Sequence, residues 1–129
     1  MTAEHRIVSP PGLAEPSGYA HAVVAAPGRT VYLGGQTGAG ETLVDQFDAA
    51  AANLLEALRA AGGEPDDLVS LVVYTTDMAE YRASLSELGE VWRRRFGRRY
   101  PALALVGASA LFEPDAHVEL MGVAVVRGG

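Results

Sequence analysis

The sequence predicts an α/β protein, in the form of an α+β two-layer sandwich with both helices on one face of a mixed sheet. The first observation is two segments with apolar residues at helical spacing, Asp45–Ala61 and a stretch between Asp77 and Gly97. The second is a set of short aliphatic and β-branched segments around them, which gives the order three strands, helix, strand, helix, two strands. The 129 residues show no linker or repeat, so a single domain over 1–129 is expected.

The first part of the chain is predicted to form strands. His5–Ser9 is a short strand candidate, followed by a connection rich in proline and glycine. Ala20–Ala26 and Thr30–Gly34 are β-type segments, and the Pro-Gly-Arg sequence between them is typical of a turn. These two segments are therefore expected to pair as a hairpin.

The two helices are predicted from their apolar stripes and end signals. Gly62-Gly63 supplies a stop for the first helix. Asp77 and Glu80 fit a capping box at the start of the second, in which Asp77 accepts from free N–H groups and Glu80 reaches back. The stripes consist of Phe47, Ala51, Leu54 and Leu58 in the first helix and Tyr81, Leu85, Leu88, Trp92 and Phe96 in the second.

The remaining predicted strands indicate an assembly. They are Leu68–Thr76, Ala102–Ala108 and His117–Val126, and the first two are apolar on both faces. Two helices can cover only one face of the sheet, and an exposed apolar face of that size is a liability for a monomer. Other copies of the same chain are the simplest way to cover this apolar face, so a homo-oligomer is expected.

Composition excludes several kinds of chemistry. The net charge of -6 argues against general nucleic-acid or membrane-surface binding, and no segment is long and apolar enough to span a bilayer. The chain has no cysteine, and all ten basic residues are arginine, so thiolate and Schiff-base lysine chemistry are excluded. His5, His21 and His117 show no metal-binding spacing, so neither a metal nor a cofactor is expected. A cytoplasmic location is the default expectation.

One acid interrupts the apolar final strand. Side chains alternate faces along a strand, so Glu119 shares its face with Met121, Val123 and Val125. An ionised carboxylate on such a face is costly unless it is paired or lines a pocket. Glu119 is therefore either an acid near the strand end that reaches water or the acid of a functional pocket, and the rest of the chain favours the pocket.

Several motifs resemble those of the Rid superfamily, the reactive intermediate deaminases that are also called YjgF proteins. The similarity extends from Ile7 to Arg127, and the motifs in their order are more specific than any one of them. They are Ser17-Gly18-Tyr19-Ala20-His21-Ala22, Val31-Tyr32-Leu33-Gly34-Gly35-Gln36, Gln46, Ala52-Asn53-Leu54, Ala60-Ala61-Gly62, Val73-Tyr74-Thr75-Thr76-Asp77-Met78, Pro101-Ala102 and Val118-Glu119-Leu120.

The resemblance implies a chorismate-mutase-like fold, a homotrimer and small-molecule clefts between subunits. In the family, the glutamate that matches Glu119 holds or activates a water that attacks the C=N carbon of an imine derived from an amino acid. The tyrosine that matches Tyr19 lines the cleft and can hydrogen-bond the substrate. The alternative for Tyr19 is an aromatic side chain packed at the trimer seam.

The sequence departs from the family pattern at two positions. Family deaminases have Pro-Ala-Arg, whose arginine grips the substrate carboxylate, where this chain has Pro101-Ala102-Leu103. Leucine cannot donate a hydrogen bond to a carboxylate. The serine usual before Gly-Gln is replaced by a glycine, taken as Gly35. Leu103 in the place of the arginine implies a more apolar cleft, and a substrate that is neutral or more hydrophobic than a simple amino-acid imine. Gly35 and Gln36 are expected, with Leu103, among the substrate-binding residues.

Polar residues around the predicted cleft have alternative interpretations. Arg93-Arg94-Arg95 and Arg98-Arg99 form either a solvated cluster at the negative end of a helix dipole, an anion clamp in which Arg98 or Arg99 replaces the family arginine, or an RNA-binding patch. Gln36 and Asn53 are otherwise groups that hydrogen-bond loop backbone. His21 is interpreted as a structural residue near a subunit boundary.

Two functions of different classes follow from these residues. The first is a divergent Rid hydrolase or deaminase that acts on an imine, an enamine or a related C=N or C=C metabolite, with Glu119 and Tyr19 in the catalytic site and Arg99 among the substrate-binding residues. The second is a non-catalytic trimer that binds a small apolar metabolite or a partner protein. Ribonuclease activity is less favoured, because the chain has no pair of histidines placed for phosphodiester cleavage.

Overall fold

The main sheet has four strands and carries the helices on one of its faces. The computed structural model describes residues 3–128. None of the helices within that range is long and apolar enough to cross a membrane. The elements are β1 (Arg6–Val8), β2 (Ala22–Val24), β3 (Gly28–Gln36), α1 (Leu43–Ala60), a short 3-10 helix (Pro65–Asp67), β4 (Leu68–Thr75), α2 (Met78–Ala83), α3 (Leu85–Phe96), β5 (Ala102–Gly107) and β6 (Val118–Arg127).

The sheet is mixed, as the sequence predicts, with the strand order β3-β6-β4-β5. Strand β6 is antiparallel to both of its neighbours, whereas β4 and β5 are parallel, and α2 and α3 form the connection between them. The predicted hairpin of the second and third strands is wrong. Strand β2 pairs with β1 in a separate two-stranded sheet, and β3 pairs with β6 along most of its length. The long β6 forms a ladder of backbone hydrogen bonds with β3. This pairing is more favourable than the local hairpin that a turn at 27–29 would allow.

Helix α1 begins two residues before its predicted start. The Thr42 hydroxyl accepts a hydrogen bond from the backbone N–H of Asp45 at 3.1 Å and caps the helix. Its buried side chains pack on the sheet as the stripe predicts. The buried apolar residues of α1 are Leu43, Phe47, Ala50, Ala51, Leu54, Leu55 and Leu58.

The predicted second helix is divided into α2 and α3 at Ser84. Ser84 has φ -110° and ψ 13°, which departs from helical geometry, so α2 ends and α3 starts at this residue. Asp77 accepts from the Glu80 N–H at 3.0 Å, as the capping box predicts. The Glu80 carboxylate, however, accepts from the Ser84 hydroxyl at 3.3 Å, so the structure shows it at the break between the helices.

The two faces of the sheet differ in cover, as the apolar strands predict. Side chains that alternate toward the helices, such as Leu71, Val73 and Leu120, are completely buried. On the opposite face Tyr32 is 82% exposed, and Val106 and Met121 are each 40% exposed. The chain by itself therefore leaves an apolar sheet face open to solvent.

A buried polar network joins the chain's first strand to its last. The Asp67 carboxylate accepts from Arg127 Nε at 2.7 Å, from His5 Nε2 at 3.3 Å and from the Glu64 N–H at 3.0 Å. His5 Nδ1 accepts from the Ala26 N–H, which leaves the proton on Nε2. Burial alone raises the pKa of Asp67, but the Glu64 N–H, Arg127 and His5 outweigh it and hold that pKa below the usual value.

Replacing Asp67 with Asn should destabilise the protein by about 2–3 kcal/mol at neutral pH, since it leaves the Arg127 charge without its buried partner. Because the folded-state pKa of Asp67 is depressed, its contribution is present above the unfolded value and is lost as pH falls through the folded one. The free-energy difference between wild type and D67N should therefore shrink below pH about 4. Urea unfolding at fixed protein concentration across this pH range measures it.

Asp48 provides the control for D67N. It also binds two arginines, Arg94 at 3.0 Å and Arg95 at 2.7 Å, but on the surface between α1 and α3. D48N should cost less than about 1 kcal/mol, because water replaces exposed ion pairs readily. Equal losses for the two variants would contradict the claim that burial makes the Asp67 network the stronger one.

Candidate functional site

A cavity of about 300 Å³ opens where α2 and α3 meet the edge strand β5. Its walls are aliphatic and aromatic, with Leu103 and Leu105 from β5 and Tyr81, Trp92 and Tyr100 from the helices and the segment that follows them. Tyr19 closes one side, since its loop is fixed to β5 by the Ala20 N–H, which donates to the Pro101 carbonyl at 3.0 Å. Such a cavity suits an apolar small molecule.

Stacked rings make one wall of this cavity rigid. Trp92 lies between Phe96 and Tyr100, with ring centroids 4.1 Å and 4.8 Å away. The Trp92 indole N–H donates to the Arg99 carbonyl at 3.1 Å, which fixes the ring orientation. The aromatic residues of the α2–α3 stripe therefore line a cavity as well as filling the core, a role that helical spacing in the sequence cannot distinguish from core packing.

Tyr81 is a neutral hydrogen-bond donor in the cavity wall. Burial, with a smaller effect of the nearby Tyr100, raises the pKa of Tyr81 to about 12. Its hydroxyl therefore keeps its proton throughout the physiological pH range. Sequence reasoning assigned Tyr81 only to the helix stripe and missed this position.

Leu103 lies in the cavity on the helix-covered face of β5. It pairs with Leu71 of β4 and packs half-buried against the core, so it contributes methyl groups where an arginine would contribute a guanidinium. The residue that departs from the family motif therefore lies in the wall of this apolar cavity. No donor from β5 replaces it, since the next inward residue is Leu105.

Glu119 lies on the open face of the sheet. Its neighbours Val118 and Leu120 are buried under the helices, while Glu119 is half-buried on the other side, opposite Tyr74 of β4. Within residues 3–128 the Glu119 carboxylate has neither an ion pair nor a hydrogen bond to another side chain. It is available to a substrate or to a second subunit.

Gly35 makes room for that carboxylate. The β3–β6 register shifts between Leu33 and Gln36, which places a bulge beside Glu119. A Cβ on Gly35 would overlap Glu119 Oε2, whereas a Cβ on Gly34 would have no heavy atom within 4 Å. Counting back from Gln36, the serine position of the motif falls on Gly34, not on Gly35 as assigned from the sequence. Gly35 is the glycine of the motif, and the Glu119 carboxylate occupies the space that a side chain at this position would take.

One chain does not bring all the predicted site residues together. Tyr19 and Leu103 lie at the β5 edge of the sheet, and Leu103 faces the helices. Glu119 and Gly35 lie toward the β3 edge, and Glu119 is on the open face. The predicted site residues therefore fall into two separate groups, called half-sites below, and Leu103 and Glu119 lie on opposite faces of the sheet.

Polar residues of the first helix hold loops instead of lining the cavity. The Asn53 amide donates to the Thr37 carbonyl at 2.9 Å, as its structural interpretation predicts. Gln46 donates to the carbonyls of Gly40 and Asp115 and accepts from the His117 N–H. Gln46 thereby fixes the entry of β6, one residue before Val118, a role that the sequence did not reveal. Gln36 pairs with Leu120 at the end of the β3–β6 ladder.

Three members of the arginine cluster make contacts within the fold. Arg94 and Arg95 both bind Asp48, and their hydrogen bonds, that of Arg95 first, lower the pKa of that carboxyl. The Arg99 guanidinium donates to the His5 carbonyl in a small cleft on the other side of the Trp92 and Tyr100 rings. Arg99 is thus engaged outside the cavity.

The three histidines lie apart in the described chain. His5 is buried in the Asp67 network, His21 bonds the Ala14 carbonyl at 2.7 Å beside the Tyr19 ring, and His117 contacts the Thr76 hydroxyl. Residues 3–128 contain no group of three side chains that could hold a metal ion.

Fold and cavity together describe a small α+β domain with an apolar ligand cavity at a sheet edge, and comparison with known proteins identifies the class. Residues 12–126 match the family model described as Endoribonuclease L-PSP. The chain therefore belongs to this family, which includes the Rid and YjgF proteins. No curated protein matches the sequence.

Solved structures of the same family share the fold. A Rid-family protein of unknown function from Yersinia pestis, YyfB, is 29% identical, with a TM-score of 0.84 over 96% of this chain and 100% of that one. A Mycobacterium tuberculosis member of the YjgF/YER057c/UK114 family is 34% identical, with a TM-score of 0.68 over 84% and 87% of the two chains. A YjgF-family protein from Neisseria meningitidis is 30% identical, with a TM-score of 0.67 over 86% and 89%.

Substitution of Gly35 by Ala should displace the Glu119 carboxylate, because the new Cβ would occupy its position. The end of a glutamate side chain can rotate away, so the variant should fold with a stability loss of only about 0.5–1.5 kcal/mol. A crystal structure of the variant measures the displacement. The matched control is G34A, which meets no neighbour and should leave Glu119 in place. If Glu119 keeps its position in G35A, the glycine is not required by the carboxylate.

Proposed function

We propose that the protein is a small-molecule hydrolase that deaminates an imine, or an enamine through its imine tautomer, in a cleft between subunits. The observation that carries the proposal is Glu119, a half-buried carboxylate on the open sheet face, without an internal partner and with Gly35 making room for it. A structural acid in that position would be expected to have a cation nearby, since burying an unpaired charge is costly.

The chemistry assigned to Glu119 is general base catalysis. Glu119 takes a proton from a water as the water oxygen forms a bond to the C=N carbon, and the π electrons move to nitrogen, which gains a proton. In the resulting carbinolamine the hydroxyl proton passes to nitrogen, by way of Glu119, as the C–N bond breaks; ammonia leaves and the carbon becomes a carbonyl. A correctly positioned base of this kind supplies roughly 10²–10⁴-fold in rate.

The proposed site is shared by two copies of the chain. Leu103 and Tyr19 lie at the β5 edge, and Glu119 and Gly35 toward the β3 edge, so one substrate cannot contact both groups within one chain. A ring of subunits that covers the open apolar face would bring the β3 side of one copy to the β5 side of the next. A homotrimer closes such a ring, in agreement with the trimer that the family resemblance implies.

The apolar cavity sets the substrate range. With Leu103 in place of an arginine, the β5 wall gives a substrate carboxylate no charged donor. The favoured substrates therefore carry an apolar group that fills the cavity. The same cavity supports the alternative function, a non-catalytic trimer that binds an apolar metabolite, and Glu119 distinguishes the two.

Replacing Glu119 with Gln should lower turnover by about 10²–10⁴-fold while substrate affinity and melting temperature change little, because the amide keeps the shape and removes the base. Imines generated in situ by an amino-acid oxidase from phenylalanine or leucine provide the assay. A large fall in melting temperature with unchanged activity per folded protein would show a structural acid instead. Wild-type protein that accelerates no imine hydrolysis would favour the binding trimer.

Mixed assemblies test whether the site is shared. E119Q should be inactive, and L103W should block the cavity. When the two are unfolded together and refolded, some interfaces combine an intact cavity with an intact Glu119, and part of the activity should return. Each variant refolded alone is the control. If light scattering shows a monomer, or if mixing restores nothing, the half-sites do not belong to one cleft.

Simple amino-acid imines such as 2-aminoacrylate should be poor substrates of the wild type, because nothing on β5 grips their carboxylate. Losing a charge-assisted contact of that kind costs on the order of 2–3 kcal/mol. L103R should improve kcat/KM for 2-aminoacrylate and weaken it for the phenylalanine-derived imine. A coupled oxidase assay with both substrates measures this, and strong wild-type activity on 2-aminoacrylate would refute the assigned role of Leu103.

A further inference from the structure

A glycine in the middle of helix α3 marks one wall of the cavity. Gly89 lies one turn after Leu85 and lines the cavity with Leu88 and Trp92. Glycine in a helix interior is unfavourable relative to alanine, so this position needs a reason. A Cβ built on Gly89 would meet a single nearby atom, Nη1 of Arg93, at 3.8 Å. The Arg93 guanidinium therefore lies next to a residue of the cavity wall.

Arg93 differs from Arg94 and Arg95, the next two residues of α3, in having no carboxylate partner within residues 3–128. Arg94 and Arg95 both bind Asp48, and Arg99 binds the His5 carbonyl. Within the described residues 3–128, Arg93 takes part in no ion pair, and it lies four residues after Gly89 on the same helix face. Its charge is therefore available to an anion at the mouth of the cavity.

We propose that the cavity binds an amphipathic ligand whose apolar body lies against Leu103, Leu105 and Trp92 and whose carboxylate binds Arg93 at the mouth. This inference rests on the proposed function, because it names the substrate class of the same site. Arg93 is on α3 beside Gly89, whereas Leu103 is on β5, so the anion is held on the helix side of the cavity and not at the strand position that carries the arginine in family deaminases. A ligand needs an apolar body to reach from one wall to the other.

Three probes of one shape test the charge preference. They are 3-phenylpropionate, its neutral amide 3-phenylpropanamide and the cation 3-phenylpropylamine. The chain's single tryptophan, Trp92, is part of the cavity wall, so its fluorescence reports binding directly. Wild type should bind the acid about tenfold more tightly than the amide, the effect of one charge-assisted hydrogen bond at a partly exposed site, and the amine more weakly than either.

Two arginine variants with the same change in net charge separate a local contact from the overall field. R93Q should bring the acid and the amide to similar affinity. R98Q should retain the wild-type preference, because Arg98 lies beyond the end of α3, whereas Arg93 lies beside Gly89 of the cavity wall. Equal affinity of wild type for acid and amide, or equal losses in R93Q and R98Q, would overturn the proposal.

A third variant tests whether the cavity itself is the binding site. G89L fills the space beside Arg93 and should abolish binding of both the acid and the amide, while the melting temperature stays the same or rises because leucine favours the helix. Unchanged probe affinity in G89L would place the ligand elsewhere and refute the inference.

The result of the probe-binding test can be told apart from the result of the E119Q test of the proposed function. If E119Q loses turnover but wild type shows no preference for the acid, the hydrolase proposal stands and Arg93 has no part in it. If Arg93 selects the acid but E119Q hydrolyses every imine as well as wild type, the ligand class stands and the catalytic role of Glu119 fails.

Discussion

The architecture depends on one constraint: its central strands are apolar on both faces, and the helices cover only one of them. Leu71, Val73 and Leu120 are sealed under α1 and α3, whereas Tyr32, Val106 and Met121 on the other side remain open. Because side chains alternate along a strand, the same period that buries Leu120 puts Glu119 on the open face. The position of the acid is thus a consequence of how the sheet is covered.

The two half-sites follow from this division. A cavity remains between α2, α3 and the edge strand β5, and Gly89 is part of its wall. At the other edge of the sheet, the bulge at Gly34 and Gly35 leaves the space that the Glu119 carboxylate occupies. The apolar cavity therefore lies at the β5 edge and the candidate base on the interior strand β6, nearer the β3 edge, and the proposed assembly of copies is what would join them.

The arginine-rich end of α3 shows why composition alone does not identify a site. Arg94 and Arg95 link α3 to α1 through their ion pairs with Asp48. Arg99 links the segment after α3 to the segment before β1, because its guanidinium donates to the His5 carbonyl. Each contact joins residues far apart in sequence, so no local pattern could assign it. Arg93 is distinguished from them only by what surrounds it in three dimensions, a glycine and a cavity.

The sequence by itself determined the fold class, most of the elements and the family, because apolar periodicity and ordered motifs are local properties of the chain. It also identified Glu119 and Leu103, since an acid in an apolar strand and a leucine in an arginine position are visible as departures from a pattern. Tertiary structure alone decided that β2 pairs with β1, that the second helix breaks at Ser84, and that aromatic residues of its stripe line a cavity. Strand partners and cavity walls are set by competition between distant segments for the same hydrogen bonds and the same buried space, and that competition leaves no local signal.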